Sequence, residues 1–337
     1  MPKPVEELKA ALGTPRRIVI VPHQKPDADA LGSSLGLAGW LQKNGHTVHV
    51  VSPTDYPHFL AWLPGNDGVV VYDLKRGDAE YTPLFAQAEY IFCLDFNDLK
   101  RVEPLDQLIR QSPAQLVLID HHEAKTDFAN YEYWRVSAAA TAELIYEFIC
   151  LMGGQAQIDQ AIAQCLYAGI MTDTGSFKYP ATSSHIHRIV ADLLDIGIDH
   201  TTIHRRIYDT NTENSLKLLG FALANRLYVM RDHKTAYIAL SKEDLKKYHH
   251  KTGDTEGMVN YALSIEGIVL AALFKEEEGC VKISFRSVGD FSVNEFAKAG
   301  FNGGGHKNAA GGKVLTNLEA AVKQFQQAVG LLQALKA

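Results

Sequence analysis

Five short apolar runs, rich in β-branched residues, punctuate the first 120 residues, at 17–21, 47–51, 69–72, 90–94 and 116–119. Such runs are the signal of strands buried on both faces. The stretches between them are long enough for crossover connections. One of them, 28–44, places Leu31, Leu35, Leu37, Trp40 and Leu41 near helical spacing and stops at Gly45. Alternation of this kind predicts a largely parallel sheet with helices on both faces.

From residue 138 the pattern turns helical, over 138–151, 159–171, 183–196, 201–209 and 213–224. It changes again in the last third. Strands are expected at 227–230, 235–240, 268–274 and 281–285, with turns at 232–234 and 276–279, followed by an amphipathic helix over 318–335. The predicted fold class is α/β, with an N-terminal, mostly parallel sheet and a smaller α/β C-terminal domain with an antiparallel or mixed sheet. A length of 337 residues agrees with two domains. They are expected at 1–196 and 226–337, joined by a helical linker at 197–225. No Gly/Ser-rich or Pro-rich tract marks the boundary; it lies where the pattern switches.

Composition removes several classes. With 46% hydrophobic and 21% charged residues the chain is ordinary globular protein, not a disordered or coiled-coil sequence. No apolar stretch approaches the roughly 20 residues of a membrane span. Residues 1–9 lack the features of a signal peptide, so the expected compartment is the cytoplasm. The four cysteines, at 93, 150, 165 and 280, form no Cys-x-x-Cys pair, which argues against a zinc ribbon or a disulfide framework. The net charge of −6 argues against broad electrostatic binding of long nucleic acid, although two divalent ions would offset four of those charges at one place.

In open parallel sheets ligands bind at the carboxyl ends of the strands. Here those ends carry His23, Asp27 and Asp29 after the first strand, Asp95 after the fourth, and Asp120, His121 and His122 after the fifth; Asp173 follows a helix. A strand-end Asp by itself is an ordinary cap or turn residue. Four such segments together are a donor set. Carboxylates and imidazoles without thiolate suit Mg²⁺, Mn²⁺, Fe²⁺ or Zn²⁺. Four of these aspartates and two of these histidines already exceed what one four-coordinate ion needs. One carboxylate bridging two ions about 3.5–4 Å apart would use them all, which is the two-metal arrangement for in-line attack at phosphorus.

Downstream, Gly303, Gly304 and Gly305 precede His306. Consecutive glycine N–H groups can form an anion nest, and His306 adds a donor beside it. The Ala309–Gly312 stretch is expected to open a short helix. Arg286, near a strand end, is a second phosphate-binding candidate because its fork can bind two oxygens.

The motifs at 23–33, 95, 120–122 and 172–175, with the glycine-rich 303–312, resemble in order and context those of DHH phosphoesterases carrying the DHH-associated C-terminal domain. The chain is most similar to the branch of oligoribonucleases that also act as phosphoadenosine-phosphate phosphatases. The resemblance implies two divalent ions, with Mn²⁺ the expected ion and Mg²⁺ or another divalent ion the alternative. It implies His23 and Asp27 on the first ion, Asp29, His121 and Asp173 on the second, and Asp95 between them. His122 would face the substrate phosphate, and Asp120 would orient a histidine. Arg286, Gly303, Gly304, Gly305 and His306 would hold substrate.

The implied reaction is attack of a metal-bridging hydroxide on a short oligonucleotide, releasing nucleoside monophosphates, or on phosphoadenosine phosphate, releasing AMP and phosphate. The alternatives are a RecJ-like single-strand exonuclease, a linear or cyclic dinucleotide phosphodiesterase, and a nucleotide-binding sensor without catalysis. The expected partner is a nucleotide substrate, with no membrane and no obligate protein partner; a homodimer stays open. One departure is Lys25-Pro26-Asp27-Ala28-Asp29, where Asn and Gly are common at the first and fourth positions. Neither position is a ligand.

Overall fold

The structure is a computed structural model that describes residues 3–251 and 253–332. The chain divides into two compact units, Met1–Thr210 and Asn211–Ala337.

The first unit is built on six strands: β1 (Arg17–Pro22), β2 (Thr47–Ser52), β3 (Val70–Val71), β4 (Tyr90–Leu94), β5 (Gln115–Asp120) and β6 (Tyr131–Trp134). Their order is β3-β2-β1-β4-β5-β6, and every pairing is parallel. The strand β6 was not expected from the sequence. It is four residues long, lies at the edge and carries Glu132 within it. The apolar runs do bury both faces: Ile18 and Ile20 enter one core, Val19 and Val21 the other.

Eight helices accompany this sheet: α1 (Val5–Ala11), α2 (Ala28–Lys43), α3 (Asp78–Gln87), α4 (Asp106–Gln111), α5 (Thr141–Leu151), α6 (Gln160–Asp173), α7 (Ser184–Asp195) and α8 (His200–Tyr208). One core holds side chains of α2, α5 and α6, and the opposite core those of α3 and α4, so helices cover both faces.

The closest helix pair is α2 with α6, and it meets through glycine. A Cβ on Gly32 would overlap the carbonyl of Cys165, one on Gly36 would stand 2.8 Å from Leu166 Cδ2, and one on Gly169 would stand 2.8 Å from Asp29 Oδ1. Without side chains at these positions the two backbones touch, which fixes Asp29 on α2 relative to Asp173 at the end of α6.

The second unit holds α9 (Glu213–Asn225), β7 (Leu227–Met230), β8 (Thr235–Leu240), α10 (Lys242–Lys247), α11 (Met258–Leu263), β9 (Leu270–Glu277), β10 (Cys280–Ser287), α12 (Val293–Gly300), β11 (Gly304–His306), β12 (Ala309–Val314) and α13 (Leu318–Leu331). Its sheet runs β11-β12-β10-β9-β8-β7 and is mixed, because β8 and β9 are parallel and the other pairs antiparallel. Phe274, Phe285 and Phe325 pack together beneath it. Positions 333–335 of the expected last helix lie outside the described residues.

The glycine-rich segment departs from the sequence expectation. Residues 309–312 begin strand β12 rather than a helix, and 304–306 are its antiparallel partner, with Gly304 opposite Gly311 and His306 opposite Ala309. The glycines serve backbone approach within the sheet. A Cβ on Gly303 would overlap the carbonyl of Gly311, and one on Gly305 would stand 2.5 Å from that of Ala309.

Candidate metal centre

The carboxyl ends of β1, β4 and β5 lead donor groups to the same place, and α2 and α6 add Asp29 and Asp173. After β1, His23 turns its Nδ1 to the carbonyl of Gln24 at 2.8 Å. A carbonyl only accepts, so Nδ1 carries a proton and Nε2 is the ring nitrogen turned to the aspartates. That Nε2 stands 3.4 Å from Asp95 Oδ2 and 3.9 Å from Asp27 Oδ2. Asp27 is also the N-cap of α2: its Oδ1 accepts from the N–H groups of Asp29 and Ala30, both at 3.0 Å. The ordinary capping role is real, and the other oxygen remains turned toward His23.

After β5, His121 repeats the arrangement. Its Nδ1 donates to the carbonyl of Ala138 at 3.1 Å, and its Nε2 faces Asp173 Oδ2 at 3.3 Å, Asp95 Oδ1 at 3.5 Å and Asp29 Oδ2 at 4.0 Å. The neighbouring His122 points its Nδ1 at Asp120 Oδ1, 2.7 Å away. Asp120 is fully buried, and its Oδ2 has no hydrogen-bond partner.

Asp95 sits at the centre. It follows β4 in a left-handed conformation (φ 65°), uncommon for a residue with a side chain. One oxygen is turned to His23 and the other to His121 and His122. Thr141, the first residue of α5, holds this orientation: its Oγ1 donates to Asp95 Oδ1 at 2.8 Å. The same helix start donates the N–H of Thr141 to Asp29 Oδ2 at 2.6 Å and that of Ala142 to Asp29 Oδ1 at 2.9 Å.

The charges are unequal. Burial acts against ionised Asp95, but hydrogen bonds from His121 and His23 and the charges of His122 and His23 hold its carboxyl well below the usual range. Burial pushes Asp29 well up, and the Asp95 and Asp173 charges add to that. Burial likewise pushes Asp173 up to about 7, with the His121 charge opposing and those of Asp27 and Asp95 reinforcing. Carboxylates crowded in this way are short of positive charge.

A divalent ion fits this deficit. His23, Asp27 and Asp95 offer ligand atoms within 4.8 Å of one another, and so do Asp29, His121 and Asp173. Both histidines present Nε2 with the opposite nitrogen on a backbone carbonyl, the usual posture of a metal-ligating imidazole. The donor set is oxygen and imidazole nitrogen, and the cysteines stand apart from it as free thiols. A further group, Glu143, Glu147 and His185, is already engaged by Arg135, whose Nη2 lies 2.8 and 2.9 Å from the two carboxylates.

In the second unit, Arg286 lies on β10 opposite Ala309 and donates to the Phe285 carbonyl at 2.9 Å. Gly303, Gly304, Gly305 and His306 lie on or beside β11. Two residues of the first unit escaped sequence reasoning. Thr141 reads as an ordinary helix start. Trp134, at the end of β6, donates its indole N–H to the carbonyl of His122 at 2.8 Å, and no local pattern marks that role. No described helix is long and apolar enough to cross a membrane.

These donors, at the carboxyl ends of a parallel sheet, form a candidate divalent-metal centre. The chain belongs to the DHH family: the family's N-terminal domain matches residues 17–170 and the DHHA1 domain matches residues 234–331. It is 30% identical over 331 residues to the bifunctional oligoribonuclease and PAP phosphatase NrnA of Thermus thermophilus, spanning 96% of this chain and 91% of that one. The protein of the same name from Bacillus subtilis is 27% identical over 320 residues, spanning 92% and 96%. A solved structure, an exopolyphosphatase-related protein from Bacteroides fragilis, superposes with a TM-score of 0.92 at 39% identity, covering 97% of this chain and 95% of that one.

Proposed function

We propose that this chain is a dinuclear-metal phosphoesterase that hydrolyses short oligonucleotides to nucleoside monophosphates and removes phosphate from phosphoadenosine phosphate. The observation that carries the reading is the paired histidine geometry: His23 and His121 each lock Nδ1 on a backbone carbonyl and aim Nε2 into the same group of aspartates. The names of the relatives at 27% and 30% identity direct it toward oligoribonucleotides and PAP.

In this reading His23 and Asp27 would hold one ion and Asp29, His121 and Asp173 the other, with Asp95 serving both. Bound there, the ions supply positive charge to the phosphoryl oxygens and acidify water. Thr141 fixes which way the two oxygens of Asp95 point. Asp120 holds the Nδ1 proton of His122. In this reading His122 Nε2 meets a phosphate or leaving oxygen, and Asp120 stabilises the imidazolium when His122 takes a proton. In the second unit, Arg286, His306 and the 303–305 backbone bind nucleotide. Mn²⁺ is the proposed ion.

The test is a substrate panel with Mn²⁺: a 5′-phosphorylated RNA dinucleotide, long single-stranded DNA, phosphoadenosine phosphate and pyrophosphate, with Asp95→Ala as control. Metal-dependent cleavage of the dinucleotide, lost in the variant, is the expected result. Preference for long DNA would move the assignment to a processive exonuclease. Absence of turnover with metal bound would leave a nucleotide sensor. Arg286→Ala and His306→Ala should weaken short substrates more than long ones; equal weakening would refute a preference for short substrates set by the second unit.

A further inference from the structure

We infer that Trp134 is a stacking platform for a nucleobase of the substrate, an inference that rests on the phosphoesterase reading and names what that site grips beyond the phosphate. Trp134 is the last residue of β6 and stands in register with Asp120 on β5. It therefore lies at the carboxyl edge of the sheet, where the donor groups gather. Trp40 is buried at 4% exposure, whereas Trp134 is 37% exposed.

A single exposed aromatic residue needs no functional explanation. Trp134 differs because its ring is fixed, and fixed to the site itself. The indole N–H is spent on the carbonyl of His122 at 2.8 Å. Lys125 Nζ lies 5.6 Å over the ring centroid and is itself anchored by Glu132 at 3.0 Å and Asp127 at 3.2 Å. With its polar edge occupied, the indole has only π surface left to offer. A ring already held in place loses little freedom when a ligand stacks on it. Base–aromatic stacking accepts any base, because every base has a π face. Trp134 thus confers a requirement for a base with little choice among bases, purines ahead of pyrimidines by overlap area.

The experiment compares wild type, Trp134→Phe and Trp134→Ala on a 5′-phosphorylated RNA dinucleotide and on the same backbone without bases. The readout is the ratio of the two kcat/KM values with Mn²⁺, which cancels any general damage to the His122 turn. Stacking losses measured by alanine substitution imply that the ratio falls about tenfold in Trp134→Ala. Phenylalanine keeps a π face but lacks the N–H, so Trp134→Phe should hold the ratio within about threefold. Independently, AMP should quench indole fluorescence in the wild type and not in Trp134→Phe.

An unchanged ratio in Trp134→Ala, or quenching that survives in Trp134→Phe, overturns the inference. Equal losses on both substrates in both variants would also overturn it, by reducing Trp134 to a support for His122. Should wild type leave the dinucleotide intact while AMP still quenches through Trp134, the phosphoesterase reading fails and the stacking site stands.

Discussion

Replacing Thr141 by valine isolates one hydrogen bond at the centre of the site. Valine keeps the β-branched shape and the backbone N–H, so the 2.6 Å bond from residue 141 to Asp29 Oδ2 survives. Only the hydroxyl donor to Asp95 Oδ1, at 2.8 Å, is lost. Both residues are buried, so water does not replace it freely. A hydrogen bond to a charged group contributes about 1.5–3 kcal/mol. If that energy holds Asp95 in its ligating orientation, Mn²⁺ affinity falls about 10- to 150-fold, at about 1.4 kcal/mol per tenfold. Outer partners of metal ligands typically show about 10- to 100-fold effects, in agreement. The assay is calorimetric titration of Mn²⁺ into chelator-stripped protein, with a thermal melt to verify folding. Thr141→Ser restores a hydroxyl and should recover affinity to within about threefold of wild type. A valine variant that binds Mn²⁺ as tightly as wild type and turns over as fast would refute the argument that Thr141 orients Asp95.

The remaining tests probe packing, charge and metal separately. Gly32→Ala would drive a Cβ into the Cys165 carbonyl, and overpacking of this kind costs about 1–3 kcal/mol, read as a lower thermal midpoint. Gly36→Ala meets only the flexible end of Leu166 and should cost less. In the second unit, burial opposes ionised Asp244, but the Arg226 fork at 2.7 and 2.9 Å and the Ser241 N–H hold its carboxyl below the usual range. A depressed carboxylate stabilises the fold fully above its unfolded pKa of about 3.9. That stabilisation disappears as pH falls through the lower folded value. Asp244→Asn should therefore lower the second unit's stability at pH 7 and change it little at pH 2; an equal loss at both would refute the linkage. Saturating Mn²⁺, at about 100 times its dissociation constant, should add about 2.7 kcal/mol per bound ion to the first unit's stability. Chelator should remove the gain and Asp95→Ala should abolish it; a melt indifferent to Mn²⁺ would contradict a metal centre there.

The donor positions were legible because two local signals coincide. Buried parallel strands announce themselves as unbroken apolar runs, and in such sheets the residues just past the run face the ligand. His23, Asp95 and Asp120 each follow directly from that rule, and β4, β7 and β8 fall where the sequence places them. What stayed hidden depends on long-range pairing. The edge strand β6 is only four residues long with Glu132 inside it, too short a run for its aromatic residues to stand out. Strand β12 contains Gly311 and Gly312, which have weak strand preference. It exists because β10 and β11 pair with it on either side and because glycine lets those backbones approach. Thr141 has the identity of a helix-start residue, and nothing near it in sequence reveals that its hydroxyl meets an aspartate 46 positions earlier.

The glycine contact between α2 and α6 has a consequence for mechanical tolerance. Side chains at a helix interface act as compliant spacers: they change rotamer, and a small displacement of one helix is absorbed before it reaches anything beyond. At Gly32 and Gly169 there is no spacer, so backbone bears on backbone. Any slip of one helix along the other is transmitted undiminished to the separation of Asp29 and Asp173. The two helices behave as a fixed-gap gauge, and the spacing of the backbone at those two residues is set by hard-sphere contact rather than by the average of a fluctuating interface.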